Sequence, residues 1–262
     1  MNDHELARKL ARETGTLLLG LRTHALSIST SDDSARSALA EEILGSEGDR
    51  VANDYLMEQF AIQRPDDVVL SEEDDLEVER LSASRVWIID PLDGTVNYFY
   101  GLPGWNVSIA AKDRDGSVVG VVTAPTINST WWASRGGGAY FNGSKIKVNE
   151  PVEFNRAFIG TGFQYDVTHR MRQIEHVGRM LPLIRDIRRN GAAAVDICSV
   201  AMGALDAYFE DGLKEWDWAA ASLVATEAGA RFGLYGASPY MTTVAAGPTL
   251  FAELESFLNL HA

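Results

Sequence analysis

The sequence predicts an α+β layered architecture: an antiparallel-sheet α/β lobe followed by an alternating α/β lobe, in one compact unit. Three observations carry this expectation. Between Ser108 and Val148, short β-branched and aromatic runs are separated by the turn signals Asp113-Arg114-Asp115-Gly116 and Asn142-Gly143, the pattern of an antiparallel meander. From Ala157 onward, strand-like and helix-like runs alternate. No flexible linker or internal repeat divides the chain, so lobes of roughly 1–150 and 151–262 share one domain, 1–262.

Leu6, Leu10, Leu17, Leu18 and Leu21 recur at helical spacing and predict a first helix over 3–22, with Asn2 or Asp3 as its cap. Residues 27–48, rich in Ser, Asp and Glu, read as a mobile loop, most clearly at Ser29-Thr30-Ser31-Asp32-Asp33. A second helix is expected from Asp49 to just before Pro65, with Val51, Leu56 and Phe60 inward. Residues 68–70 and 86–89 read as buried strands, with a solvated acidic stretch over 72–79 between them. Residues 118–122 and 130–133 are the meander strands. In the second lobe, strands are expected at 157–160, 206–210 and 230–234, and helices at 168–181, 193–204, 217–228 and 250–258.

A chain of 262 residues with 46% hydrophobic content can bury a sizeable core. Its formal charge of −14 and pI near 4.7 argue against nucleic-acid binding through a general electrostatic footprint. A protein this acidic that handled phosphate would need a local positive charge, which bound metal supplies. The single Cys198 lies in an apolar run, which excludes a disulfide framework and argues against thiol chemistry. No signal-peptide pattern opens the sequence and no apolar run approaches membrane-spanning length; a cytoplasmic location without membrane contact is expected.

The most informative stretch is Val86-Trp87-Ile88-Ile89-Asp90-Pro91-Leu92-Asp93-Gly94-Thr95. An apolar strand delivers two carboxylates at its end, where Pro91 forbids further pairing and Gly94 permits a tight turn. Converging carboxylates repel unless a cation sits between them, and hard oxygen ligands select Mg²⁺ or Mn²⁺. Gly94 and Thr95 then offer backbone N–H groups and a hydroxyl to an adjacent phosphate. Glu72 follows the 68–70 strand in the same way. Asp217 and Asp49 stand at the heads of predicted helices, where a carboxylate can equally be an N-cap.

Together, Ser71-Glu72-Glu73, the Trp87–Thr95 motif and Glu215-Trp216-Asp217-Trp218-Ala219-Ala220 resemble the inositol monophosphatase family of metal-dependent, lithium-sensitive phosphatases. Gly191-Ala192-Ala193-Ala194-Val195 and Asp206-Ala207-Tyr208-Phe209-Glu210-Asp211-Gly212 match further family segments, so the resemblance covers nearly the whole chain. It implies an α+β layered sandwich of the sugar-phosphatase type, a homodimer, and two or three Mg²⁺ per site, with Mn²⁺ an alternative. By position it makes Glu72, Asp90, Asp93, Asp217 and the Leu92 backbone oxygen metal ligands. Glu72 and Thr95 would orient and deprotonate the attacking water, with Asp49 accepting the Thr95 hydroxyl proton. Asp93, Gly94, Thr95, the Ala193 backbone and Glu210 would contact substrate, Glu210 through its hydroxyls.

The chain departs from the family between Glu41 and Asp49, which is acidic and lacks the usual Lys and Thr. That segment is closer to the branch that acts on 3′-phosphoadenosine 5′-phosphate, whereas residues 96–107 and the Glu210 segment resemble the inositol branch. A second substrate phosphate calls for Arg or Lys, and none occurs between Val96 and Ala111, which favours inositol 1-phosphate. Histidinol phosphate, fructose 1,6-bisphosphate, and a non-catalytic regulator keeping the fold are the other readings. The basic run Arg185-Asp186-Ile187-Arg188-Arg189 reads as a solvated strand end or a contact to a second phosphate. Trp105, Trp131, Trp132, Trp216 and Trp218 read mostly as core. His4, His24, His169, His176 and His261 fall outside every motif and are expected at the surface or on helices.

Overall fold

In the computed structural model, which describes residues 1–28, 33–73, 83–237 and 240–258, the first helix opens with a reciprocal cap. Asn2 Oδ1 accepts from the Glu5 amide (3.0 Å) and the Glu5 carboxylate accepts from the Asn2 amide (3.2 Å). This helix, α1 (Asp3–Ile28), buries the stripe Leu6, Ala7, Leu10, Ala11 and Leu18. The second, α2 (Asp33–Gln63), buries Leu44, Ala52, Leu56 and Phe60. It corrects the loop expected over 27–48: residues 33–48 are helical, and 29–32 lie outside the described residues. Charge density suggested a loop there, but Ala35, Ala38, Leu39, Ala40, Glu41 and Glu42 are strong helix formers, and intrinsic propensity prevails. The acidic stretch is described only at 72–73.

A seven-stranded sheet runs in sequence order. Its strands are β1 (Val68–Ser71), β2 (Arg85–Asp93), β3 (Asn106–Asp113), β4 (Gly116–Ala124), β5 (Ser129–Ser134), β6 (Gly138–Phe141) and β7 (Ser144–Lys145). β1 pairs parallel to β2 and every later pairing is antiparallel, as the turn signals predict. Asn142 and Gly143 both have positive φ (46° and 87°), the requirement of a tight β6–β7 hairpin. Contrary to the expectation that β2 stops at Pro91, an irregularity between Asp90 and Asp93 absorbs the proline, and pairing resumes at Asp93 opposite Asn106.

The second sheet has the order β11-β12-β10-β8-β9. It comprises β8 (Phe158–Thr161), β9 (Asp186–Arg188), β10 (Ala207–Asp211), β11 (Arg231–Tyr235) and β12 (Thr242–Ala246). Here β9, β8 and β10 are mutually parallel, while β12 runs antiparallel to β10 and β11. Among the described residues the remaining α-helices are α3 (Thr95–Tyr100), α4 (Val167–Met180), α5 (Ala193–Ala201), α6 (Glu215–Glu227) and α7 (Pro248–Phe257).

Strand alternation sorts these elements into layers. Trp87, Ile89, Val107, Ile109 and Val121 share a core with α1 and α2. Ile88, Ala110 and Val122, on the opposite face, pack with α5 and α6, which also cover Tyr208 and Ala245 of the second sheet. Ile159, Phe209 and Val244 meet Met180 of α4 and Leu250, Phe251 and Leu254 of α7 on the far side. The result is a helix–sheet–helix–sheet–helix sandwich. Gly120 lets α6 lie close on the first sheet, because a Cβ there would collide with the Ala220 carbonyl oxygen.

Candidate active site

Between the two sheets lies a pocket of about 300 Å³. The parallel β1–β2 pairing builds its acidic wall. The Glu72 amide donates to the Ile89 carbonyl oxygen (3.2 Å), so Glu72 leaves its strand beside Asp90. Asp90 is 1% exposed and its Oδ1 accepts from the Leu92 amide (3.0 Å), an Asx turn across the irregularity. Asp93 then points into the pocket, its Oδ2 accepting from Asn106 Nδ2 (2.8 Å) and from the Ala194 amide of α5 (3.0 Å). Gly94 has φ 83°, and a Cβ there would press on Ala192 Cβ (3.1 Å) and the Gly191 carbonyl oxygen (3.2 Å).

The facing wall comes from the second lobe. Asp217 occupies the first turn of α6, where its Oδ2 accepts from the Lys214 amide (2.6 Å). Cap and site residue are one group here, since the other carboxylate oxygen remains available. Glu210 is 8% exposed and accepts from the Tyr208 hydroxyl, two residues back on the same face of β10. Its carboxylate lies over Gly162, where a Cβ could not fit. Asp196, 1% exposed on α5, accepts from Asn190 Nδ2 (2.6 Å).

These acids raise one another's pKa values. Burial, then the charges of Glu72, Asp93 and Asp217, push Asp90 well above the usual carboxylate range. Burial and the charges of Asp93 and Glu73 push Glu72 up to about 7. Asp93 rises only to about 6, because the Asn106 side chain and the Ala194, Ala193 and Gly94 amides offset its burial. Asp217 is raised well above its ordinary value by burial and by Asp93. Burial pushes Glu210 and Asp196 up to about 7.

Glu72, Asp90, Leu92, Asp93, Gly94, Thr95, Ala193, Glu210 and Asp217, all singled out from the sequence, line this one pocket. Asp49 does not line it. Burial, with the charges of Glu73 and Glu72, pushes Asp49 up to about 7. The Thr95 hydroxyl donates to the Leu92 carbonyl oxygen (3.2 Å) rather than to Asp49, so the expected Asp49–Thr95 bond is replaced by a local one. Arg189 and Lys214 line the pocket, so the lack of cations between Val96 and Ala111 does not leave the site without them. Trp216 is a wall residue of the pocket, beside Asp217. Asn106, Asp196 and Tyr208 were missed. Asp196 had a signal, an acid inside the apolar run of α5, and so did Tyr208 by its period-two relation to Glu210; Asn106 had none. No described histidine lines the pocket, and His261 lies outside the described residues.

Among the described residues no three of these acids enclose a single point as a ready cage. Glu72 and Asp90 instead stand close enough for the charge of Glu72 to act on buried Asp90. The donor set nevertheless fits divalent Mg²⁺ or Mn²⁺: every candidate ligand is a hard oxygen, and the mutual repulsion that raises these pKa values is what a cation would relieve.

The inositol monophosphatase family model matches residues 3–252. The inositol-1-monophosphatase SuhB of Mycobacterium tuberculosis is 35% identical over 271 residues, covering 97% of this chain and 92% of that protein. A Nus factor SuhB of Pasteurella multocida is 36% identical over 211 residues, covering 79% of each. Among solved structures, Mycobacterium tuberculosis SuhB superposes with a TM-score of 0.83 at 34% identity, covering 98% of this chain and 95% of that one. A Thermotoga maritima IMPase superposes with a TM-score of 0.78 at 28% identity, covering 97% and 96%. With a family model spanning nearly its full length and these relatives on both sequence and fold, the chain belongs to the inositol monophosphatase family of phosphoric monoester hydrolases.

Proposed function

We propose that this protein hydrolyses a small phosphate monoester, with inositol 1-phosphate the leading substrate, in a Mg²⁺-dependent reaction. The observation that carries the reading is the meeting of Glu72, Asp90 and Asp93, from the first lobe, with Asp217 and Glu210, from the second, in the lining of one pocket. Bound Mg²⁺, held by those acids and the Leu92 carbonyl oxygen, would neutralise the phosphate dianion and acidify a water. Thr95 positions that water as an acceptor: its own proton is committed to the Leu92 carbonyl, which leaves its lone pairs facing the pocket. Glu72 takes the proton released as the water attacks phosphorus. The ester P–O bond breaks as the water adds; the leaving oxygen, which the metal held by Asp217 would stabilise, takes a proton from solvent as the alcohol forms. Glu210, oriented by Tyr208, accepts hydrogen bonds from the substrate's hydroxyls.

A homodimer in the cytoplasm is part of the same proposal, and a net charge of −14 is why no nucleic-acid partner is included. No described helix is long and apolar enough to cross a membrane. The test is phosphate release from a panel of monoesters with and without Mg²⁺. Release from inositol 1-phosphate that disappears in excess chelator is expected. Release unaffected by chelator, or none from any ester, would overturn the reading.

A further inference from the structure

The basic run at 185–189 divides in the structure. Arg188 pairs with Asp186 (2.6 Å) and lies over the Phe158 ring (4.5 Å). Arg185 lines a separate surface cleft. Arg189 alone of the three lines the active-site pocket. Its guanidinium folds back over Gly191, where a Cβ would stand 2.7 Å from Nη1 and where φ is 92°, so only glycine leaves this seat open.

The turn bearing Arg189 is fastened on both sides. Asn190 Nδ2 donates to the buried Asp196 carboxylate (2.6 Å). The Asn190 carbonyl oxygen accepts from Asn97 Nδ2 (2.7 Å), and the same Asn97 amide group also donates to the Pro103 carbonyl oxygen (3.1 Å). This ties the turn to α3, the helix that begins at Thr95. Among the described residues Arg189 has no ion-pair partner; its charge acts on Glu210 and Asp196, where it opposes the effect of burial. A fastened turn therefore presents a guanidinium without an ion-pair partner to the same pocket that Glu210 lines.

We propose that Arg189 forms a subsite for a second anionic group, phosphate or carboxylate, on the alcohol part of the substrate. This rests on the reading of the pocket as a phosphate monoester site and extends it to a substrate class. The planar guanidinium suits either anion through paired N–H donors. It also resolves a conflict in the pocket: a second anion beside Glu210 would be repelled unless a cation stood next to both.

The experiment uses two matched pairs, inositol 1-phosphate against inositol 1,4-bisphosphate and glycerol 3-phosphate against 3-phosphoglycerate. Each is measured for kcat/KM and, by calorimetry in Mg²⁺, for Kd. In the wild type the doubly anionic member of at least one pair is favoured by about tenfold, the order expected of one charge-assisted paired contact. Which pair shows the gain separates phosphate from carboxylate. Arg189→Gln brings that ratio close to 1, Arg189→Lys leaves it between, and Arg188→Gln, an equal change in net charge, does not alter it. No gain in either pair, a gain that survives Arg189→Gln, or an equal loss on both members would overturn the subsite. If no ester is hydrolysed but the Kd ratio behaves as stated, the phosphatase reading fails and the subsite stands.

Discussion

Asp196→Asn should stabilise the protein at alkaline pH and not at acidic pH. Asp196 is 1% exposed, has no cation within ion-pairing distance among the described residues, and burial pushes it up to about 7. In the unfolded chain the same carboxyl titrates near ~3.9. The native state therefore holds a proton that the unfolded state releases between roughly pH 4 and 7, so stability falls as pH rises through that window. Three units at ~1.4 kcal/mol each set an upper bound of about 4 kcal/mol above pH 7. Asparagine keeps an oxygen for Asn190 Nδ2 but replaces a charge-assisted acceptor, a loss of about 1 kcal/mol. The net expectation is a gain of about 2–3 kcal/mol at pH 8 and none at pH 4.5. Urea titrations of both proteins at the two pH values, in chelator, read the difference directly. A gap that does not change with pH, or a variant less stable at pH 8, would refute this account of Asp196.

Asp93→Asn should lower turnover by a hundredfold or more while circular dichroism stays native, because it weakens a ligand without opening a core cavity; retained turnover would remove Asp93 from the metal set. Thr95→Ala should lower kcat with a smaller effect on Mg²⁺ dependence, and Asp49→Asn should affect kcat less than Thr95→Ala because the Thr95 proton goes to Leu92; the reverse order would restore Asp49 to a direct role. Glu210→Gln should raise KM for inositol 1-phosphate more than it lowers kcat, and Gly162→Ala should do the same by displacing the Glu210 carboxylate; a pure kcat effect in both would place Glu210 in the chemistry instead. Cys198, buried and with its thiol pushed well up by that burial, should resist iodoacetamide until the protein unfolds, which mass spectrometry checks; rapid native labelling would contradict the packing.

The acids at strand ends were legible because their spacing is local: Asp90, Leu92 and Asp93 leave one strand within one turn, and Glu72 emerges from its parallel neighbour. The antiparallel meander was legible for the same reason, since Asn142-Gly143 sets its own hairpin. What the sequence concealed depends on distant partners. β12 is a short run, Thr242–Ala246, with little hydrophobic contrast, and it is a strand because β10 and β11 flank it. Asn106 became a site residue only through register opposite Asp93; the basic run was legible, but which of its arginines reaches the pocket depends on Gly191, over which only Arg189 folds back. The first half of α2 has the Ser-, Asp- and Glu-rich composition of a loop, yet the helix propensity of its Ala, Leu and Glu residues prevails.

Asp93 Oδ2 receives N–H groups from both lobes, Asn106 from the first sheet and Ala194 from the helix between the sheets. One oxygen thus serves as fastener for the two halves and as part of the set expected to hold the metal. Occupancy and interlobe cohesion become thermodynamically linked: an ion that draws on this carboxylate changes how strongly it retains the Ala194 amide, and whatever loosens that amide changes ion affinity by the same factor. Hydrogen exchange at the amide of Ala194, a buried residue in the first turn of α5, would then report on the metal without touching it.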